Sequence, residues 1–171
     1  FEELGGLGVR RVTLSGGEAF VRPDLFELID GIIANRMRYS MLTNGTLVTD
    51  EVARALADAG LASVNVSLDA PDAALHDRLR GRAGSFQRVL QAAARLCAVP
   101  RRPYRVALTC AVGEENAAQV EALLDAAQAH DAKAVLISTQ HNDGVDRDTE
   151  IRPELIENVI RPVVPEQFAD D

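Results

Sequence analysis

The segment Val12-Thr-Leu-Ser-Gly-Gly-Glu18 reads as a short β-strand that runs into two glycines and then a carboxylate. Glycine lets main-chain N–H and C=O groups approach a ligand closely and tolerates dihedrals closed to other residues. A glutamate directly after such a turn can meet a cationic group at the mouth of a sheet. Phosphate loops work differently, with main-chain N–H groups, a lysine and a helix N-terminus around an anion. Gly16, Gly17 and Glu18 therefore suit a ligand that carries an ammonium group.

Further chemistry-bearing residues recur at the ends of strand-like segments. Leu42-Thr-Asn-Gly-Thr46 closes a second strand and Val64-Asn-Val-Ser-Leu-Asp69 a third, which places Asn44, Ser67 and Asp69 at one rim. His76-Asp-Arg-Leu-Arg-Gly81 and Gly84-Ser-Phe-Gln-Arg-Val89 follow. Each has an ordinary alternative. Glu18 could be a helix-start carboxylate and Ser67 a plain strand-end hydroxyl. Asn44 and Asp69 could make side-chain-to-backbone turn bonds. Arg80 suits a bidentate carboxylate contact, but Arg78, Arg82 and Arg88 compete for that role. His76, His130 and His141 have no metal-ligand spacing, so surface positions are expected. Cys97 and Cys110 fall on apolar phases and read as reduced core thiols.

The elements that position these groups alternate. Strands are expected near Arg11–Ser15, Arg38–Thr43, Ala62–Leu68, Arg105–Ala111 and Lys133–Thr139. A first helix begins at Pro23, with Leu25, Leu28, Ile29, Ile32 and Ile33 on one face. Thr49, Asp50 and Glu51 form the cap and acidic first turn of a second, ended by Gly60. Ser85 opens a third, and a fourth spans about Glu115 to His130. This alternation implies βα units and a parallel sheet with right-handed crossovers.

Within the strands, polar and apolar residues sort by phase. Val64, Val66 and Leu68 oppose Ser63, Asn65, Ser67 and Asp69; Val106, Leu108 and Cys110 oppose Ala107, Thr109 and Ala111. Ser40 and Asn44 share a phase that Leu42 interrupts, and Ser138 and Gln140 share that of Ala134 and Leu136. A barrel filled by its own side chains favours bulky branched residues inside. A hydroxyl-lined wall at strand C-termini is better explained by a polar ligand, although some hydroxyls could bond to backbone or water.

Together these motifs, in this order, closely resemble the radical S-adenosylmethionine enzymes. The nearest branch is the SPASM type that matures peptides and builds peptide- or tetrapyrrole-derived cofactors. The resemblance runs from the first residue to about Gln140. It implies an α/β fold, a partial (β/α)6-type TIM barrel with parallel strands, with the first βα unit missing from this chain. It also implies S-adenosylmethionine bound by Gly16, Gly17, Glu18, Asn44, Ser67, Asp69 and Arg80. Glu18 would take the α-amino group, Ser67 the ribose or carboxylate end, and Arg80 the carboxylate. A [4Fe-4S] cluster would supply one electron, and the resulting 5′-deoxyadenosyl radical would abstract hydrogen from a small-molecule or peptide substrate. An electron donor such as flavodoxin or ferredoxin and a cytoplasmic location are implied too.

Two departures qualify the match. The family's Cys-x-x-x-Cys-x-x-Cys loop is absent, since the cysteines are Cys97 and Cys110. Ala19-Phe20 stands where the family usually has Pro and a small apolar residue. Phe1–Gly8 resembles the tail of a helix, so the expectation is a fragment that begins after the cluster loop, whose ligands lie upstream. The alternative is a cluster-less scaffold relative. An ordinary lyase or aldolase would need a Schiff-base lysine or a metal constellation, and the one lysine, Lys133, starts a strand.

Composition is compatible with this reading. At 171 residues the chain suits one domain with an aliphatic core, given 4% aromatic residues and no Trp. A complete eight-unit barrel takes about 250 residues, so an open section is expected over residues 1–140. Residues 141–171 read as a polar loop, a short helix at Pro153–Ile160 and a tail. The net charge of −8 disfavours nucleic acid and anionic membranes. No apolar run approaches the roughly 20 residues of a membrane span.

Overall fold

A computed structural model describes residues 1–129 and 134–139. After a short helix α1 (Glu2–Gly6), strands and helices alternate: β1 (Arg11–Leu14), α2 (Leu25–Ala34), β2 (Arg38–Thr43), α3 (Asp50–Asp58) and β3 (Ser63–Ser67). Two helices, α4 (Ala73–Arg80) and α5 (Ser85–Ala98), then precede β4 (Arg105–Val112), and α6 (Val120–Ala129) leads to β5 (Ala134–Thr139). All five strands are parallel and stand in chain order, β1 to β5.

That order decides the architecture. A doubly wound sheet reverses its direction of travel to place helices on both faces. Here the chain never turns back, and right-handed crossovers keep every helix on one side. The sheet is thus an open section of a β/α barrel wall, with the helices outside. Tyr39, Met41, Val64, Val66, Leu108 and Cys110 are buried on the helix-covered face. The opposite phase of β3, Ser63, Asn65 and Ser67, is only half-buried.

Local signals explain most boundaries. The Thr49 hydroxyl accepts from Val52 N at 3.2 Å and caps α3. The carboxylate of Asp77 accepts from the Phe86 main-chain N–H, the Ser85 hydroxyl and the Gly84 main-chain N–H, which fixes the start of α5.

Some boundaries move. Helix α2, expected from Pro23, begins at Leu25, with Asp24 as its N-cap residue and the Asp24 carboxylate paired with Arg22 at 2.6 Å. Ile33, expected on its buried face, is exposed. The fourth helix is expected from Glu115, but a 3₁₀ turn at Ala117–Gln119 intervenes and α6 starts at Val120. The cause is Asn116, whose side chain bonds back to Gly113 N and Ala111 O and so belongs to the turn. Helix α4 was not anticipated as a helix. Its signals are Asp72, which accepts from Leu75 N at 2.9 Å, and the closing Gly81. The side chains expected along β5, together with Gln140, His130, His141, Lys133 and the Pro153–Ile160 helix, lie outside the described residues.

Candidate functional site

The C-terminal ends of β1 to β4 carry the expected groups along one rim. Neighbouring strands lie about 4.8 Å apart, so the span from β1 to β4 is about 14 Å, the scale of a nucleotide-sized ligand. Two polar clusters stand on this rim.

The first joins β1 to β2. Glu18 follows the glycine turn and accepts from Phe20 N at 3.2 Å, capping the 3₁₀ turn Ala19–Val21. The carboxylate also accepts from the Thr43 hydroxyl, at 2.8 and 3.0 Å to its two oxygens, and from Asn44 N at 2.7 Å. Each carboxylate oxygen thus meets two donor groups, Phe20 N and the Thr43 hydroxyl on Oε1, Asn44 N and the same hydroxyl on Oε2. Gly16 has φ +140, and a Cβ on Gly16 or Gly17 would meet nothing within 4 Å. The turn therefore borders open space. The Asn44 carbonyl oxygen is committed to a turn, accepting from both Thr46 N and the Thr46 hydroxyl.

The second cluster joins β3 to β4. Asp69 pairs with Arg80 at 2.6 Å and accepts from Ala111 N at 3.2 Å. The Asp69 main-chain N–H donates to His76 Nδ1 at 3.1 Å. His76 is wholly buried, not at the surface. Its place was hidden because helix α4, which turns that face inward, was itself not foreseen. Arg80, at the end of α4, is thus the arginine brought to the rim; Arg78 instead pairs with Glu115 at 2.9 Å. Beside Asp69 and Arg80 a cavity of about 320 Å³ is lined also by Ala111, Gly113 and Asn116. Sequence reasoning missed Asn116, although an Asn three residues after a glycine is a turn signal.

Between the clusters, the inner-face hydroxyls behave differently along the strands. Near the N-terminal end, Ser63 donates to Ser40 at 3.0 Å, and these two need no ligand. Nearer the rim, Ser67 and Thr109 are register partners. The Ser67 hydroxyl bonds to no described residue, and Thr109 Oγ1 is buried without a partner. An unmet buried hydroxyl costs about 1–3 kcal/mol, and a polar ligand at this level would relieve it.

The cysteines do not fit a cluster. Cys110 is buried beneath the helices, where burial pushes its thiol up to about 12 and keeps it protonated. Cys97 packs half-buried against the core on α5. No group of three metal-binding side chains stands together among the described residues.

Fold and rim define a β/α-barrel protein with polar side chains gathered at the strand C-termini. The family model of the Radical SAM superfamily matches residues 1–127, and the chain belongs to that superfamily. The AdoMet-dependent heme synthase of Methanosarcina barkeri is 39% identical over 89 residues, covering 52% of this chain and 26% of that protein. The mycofactocin maturase MftC of Mycobacterium tuberculosis is 34% identical over 120 residues, covering 70% and 30%. By name these relatives are enzymes. The chain spans between a quarter and a third of their length. The crystal structure of Streptococcus suis SuiB shares the fold, with a TM-score of 0.68 at 18% identity over 82% of this chain and 32% of that one. No helix among the described residues is long and apolar enough to cross a membrane.

Proposed function

We propose that this chain is the S-adenosylmethionine-binding core of a radical enzyme that matures a peptide or a peptide- or tetrapyrrole-derived cofactor. Membership in the superfamily implies S-adenosylmethionine and a [4Fe-4S] cluster. Once bound and reduced by one electron from the cluster, S-adenosylmethionine supplies the radical that takes hydrogen from a substrate. In this reading the cluster's ligands come from outside these 171 residues, since Cys97 and Cys110 are core thiols. The electron donor is a small redox protein such as flavodoxin or ferredoxin, and the enzyme works in the cytoplasm. Residues 1–140 are assigned to the core.

The single observation that carries the reading is the Glu18 carboxylate at the strand C-termini, held by Thr43 and Asn44 and following a glycine turn that borders open space. An α-ammonium group fits there as a charge-assisted donor. Ser67 and Thr109 then face the ribose, Asn44 borders the nucleotide, and Arg80, paired with Asp69, meets the carboxylate. A peptide substrate is favoured by the maturases among the relatives and by SuiB, whose structure has been solved with its precursor peptide SuiA.

Calorimetry with S-adenosylmethionine on the full-length protein tests this. Glu18→Ala is expected to abolish measurable binding; an unchanged affinity overturns the role of Glu18. The cluster-less alternative is tested by iron analysis after anaerobic reconstitution, where absence of bound iron would favour a scaffold.

A further inference from the structure

Asp69 and Arg80 reach each other from different elements, one just after β3 and the other at the end of α4. Asp69 is 6% exposed, and protein groups hold it on every polar atom. Its main-chain N–H is taken by His76 Nδ1, and its main-chain oxygen accepts from Asn116 Nδ2 at 2.8 Å. Of its carboxylate oxygens, Oδ1 accepts from Ala111 N and Oδ2 meets Arg80 Nε. Asn116 is itself buried and bonds three times more: its amide nitrogen to Ala111 O and Cys110 Sγ, its oxygen to Gly113 N. The carboxylate therefore has a fixed place.

Arg80 is held differently. Its guanidinium meets Asp69 Oδ2 through Nε at 2.6 Å, on the edge turned toward β3. The side chain is 32% exposed and lines the cavity next to Ala111 and Gly113. A guanidinium is a rigid planar fork, so fixing one edge sets the direction of the other. The remaining edge suits a second, planar carboxylate. Glu114 and Glu115 also border the cavity, and the ion pair of Glu115 with Arg78 offsets one of these two charges.

We infer that Asp69 is a positioning residue rather than a cofactor contact: locked by Asn116 and His76, it aims the other edge of Arg80 at the carboxylate of the bound cofactor. This rests on the S-adenosylmethionine reading above and assigns the rim a division of labour. Glu18 meets the ammonium directly, while Asp69 acts only through Arg80.

The experiment measures binding to the full-length protein of two probes, S-adenosylmethionine and 5′-methylthioadenosine. The second keeps the nucleoside and lacks both the carboxylate and the ammonium. Asp69→Asn and Arg80→Ala are each expected to weaken S-adenosylmethionine about tenfold, equivalent to ~1.4 kcal/mol. Both should leave 5′-methylthioadenosine unchanged, which also reports that the variants fold. The double variant is expected to bind no more weakly than Arg80→Ala, because one residue works through the other. Unchanged S-adenosylmethionine affinity in Asp69→Asn overturns the inference. So does equal loss of both probes, the mark of a merely structural role, and so do additive losses in the double variant. Wild-type protein that binds neither probe overturns the cofactor reading as well, which separates the two failures.

Discussion

The hydroxyl of Thr43, at the end of β2, donates to the carboxylate of Glu18 from beyond β1, at 2.8 Å to one oxygen and 3.0 Å to the other. The same hydroxyl accepts from Gly45 N at 3.0 Å. One side chain thus ties the glycine turn of the first strand to the turn of the second, and it sits buried between them. Thr43→Val keeps the shape and removes both bonds. A buried group left without its partner costs about 1–3 kcal/mol, so chemical denaturation should register a loss of that size. Cofactor affinity should fall with it, as Glu18 loses a fixed orientation. Thr43→Ser, which retains the hydroxyl, should restore most of both; a Val variant that binds as tightly as wild type would show that Glu18 is oriented without Thr43.

Gly45 follows in that turn with φ +74, and a Cβ there would meet Ala92 Cβ at 3.0 Å and Val66 Cγ1 at 3.1 Å. Gly60 has nearly the same backbone, φ +73, but open space around it. Gly45→Ala should therefore suffer twice, from the left-handed backbone (about 1–2 kcal/mol) and from crowding (about 1–3 kcal/mol). Gly60→Ala should suffer only the first. Urea midpoints of the two variants decide this. Equal losses would mean that α5 gives way around the new methyl.

How much of this was legible beforehand follows from the range of the interactions. Strand β2 was placed at its observed bounds, because its signals are local: a short run rich in strand-forming residues closed by an Asn-Gly stop. The capped start of α3 was legible for the same reason. Glu18 was readable from the glycine turn it follows, whereas Arg80 was one of four competing arginines until α4 brought it beside Asp69. Their partners were not legible: Thr43 lies 25 positions from Glu18, and Asp69 receives Asn116 from 47 positions away. His76 illustrates the loss. Taken as a residue in a polar motif it reads as surface, yet on α4 it turns inward beneath Asp69. The Ser40–Ser63 bond likewise depends on register, which no single strand encodes.

Asp77 is a second tertiary cap with a pH signature. The Phe86 N–H, with smaller help from Gly84 and Ser85, holds its carboxyl below the ordinary carboxylate range. A lowered folded pKa stabilises the fold above the unfolded value and loses that contribution as acid protonates the group. Asp77→Asn should melt below wild type at neutral pH, followed by circular dichroism. The gap should narrow below about pH 4, the usual aspartate range. A gap that persists undiminished in acid would assign the effect to shape rather than charge.

His76 titrates in a separate window. Burial lowers its pKa; the nearby charges are Asp69 and Asp77, which oppose that shift, and Arg80, which adds to it. Nδ1 accepts from Asp69 N, which assigns the proton of the neutral ring to Nε2. That N–H is buried without a partner, and the ring packs edge-on to Phe86 at 5.9 Å. Charging the ring would place a second donor against Asp69 N. With the folded pKa depressed, the neutral ring's contribution is complete above about pH 6.5, the unfolded value. It declines as pH falls from there through the folded pKa, with a slope of at most about 1.4 kcal/mol per pH unit for one proton. Thermal melts from pH 7.5 to 5 should therefore fall more steeply for wild type than for His76→Asn, whose amide oxygen can replace Nδ1 as acceptor. Parallel curves would show that His76 carries the same charge folded and unfolded, and the rim would then need another anchor for Asp69.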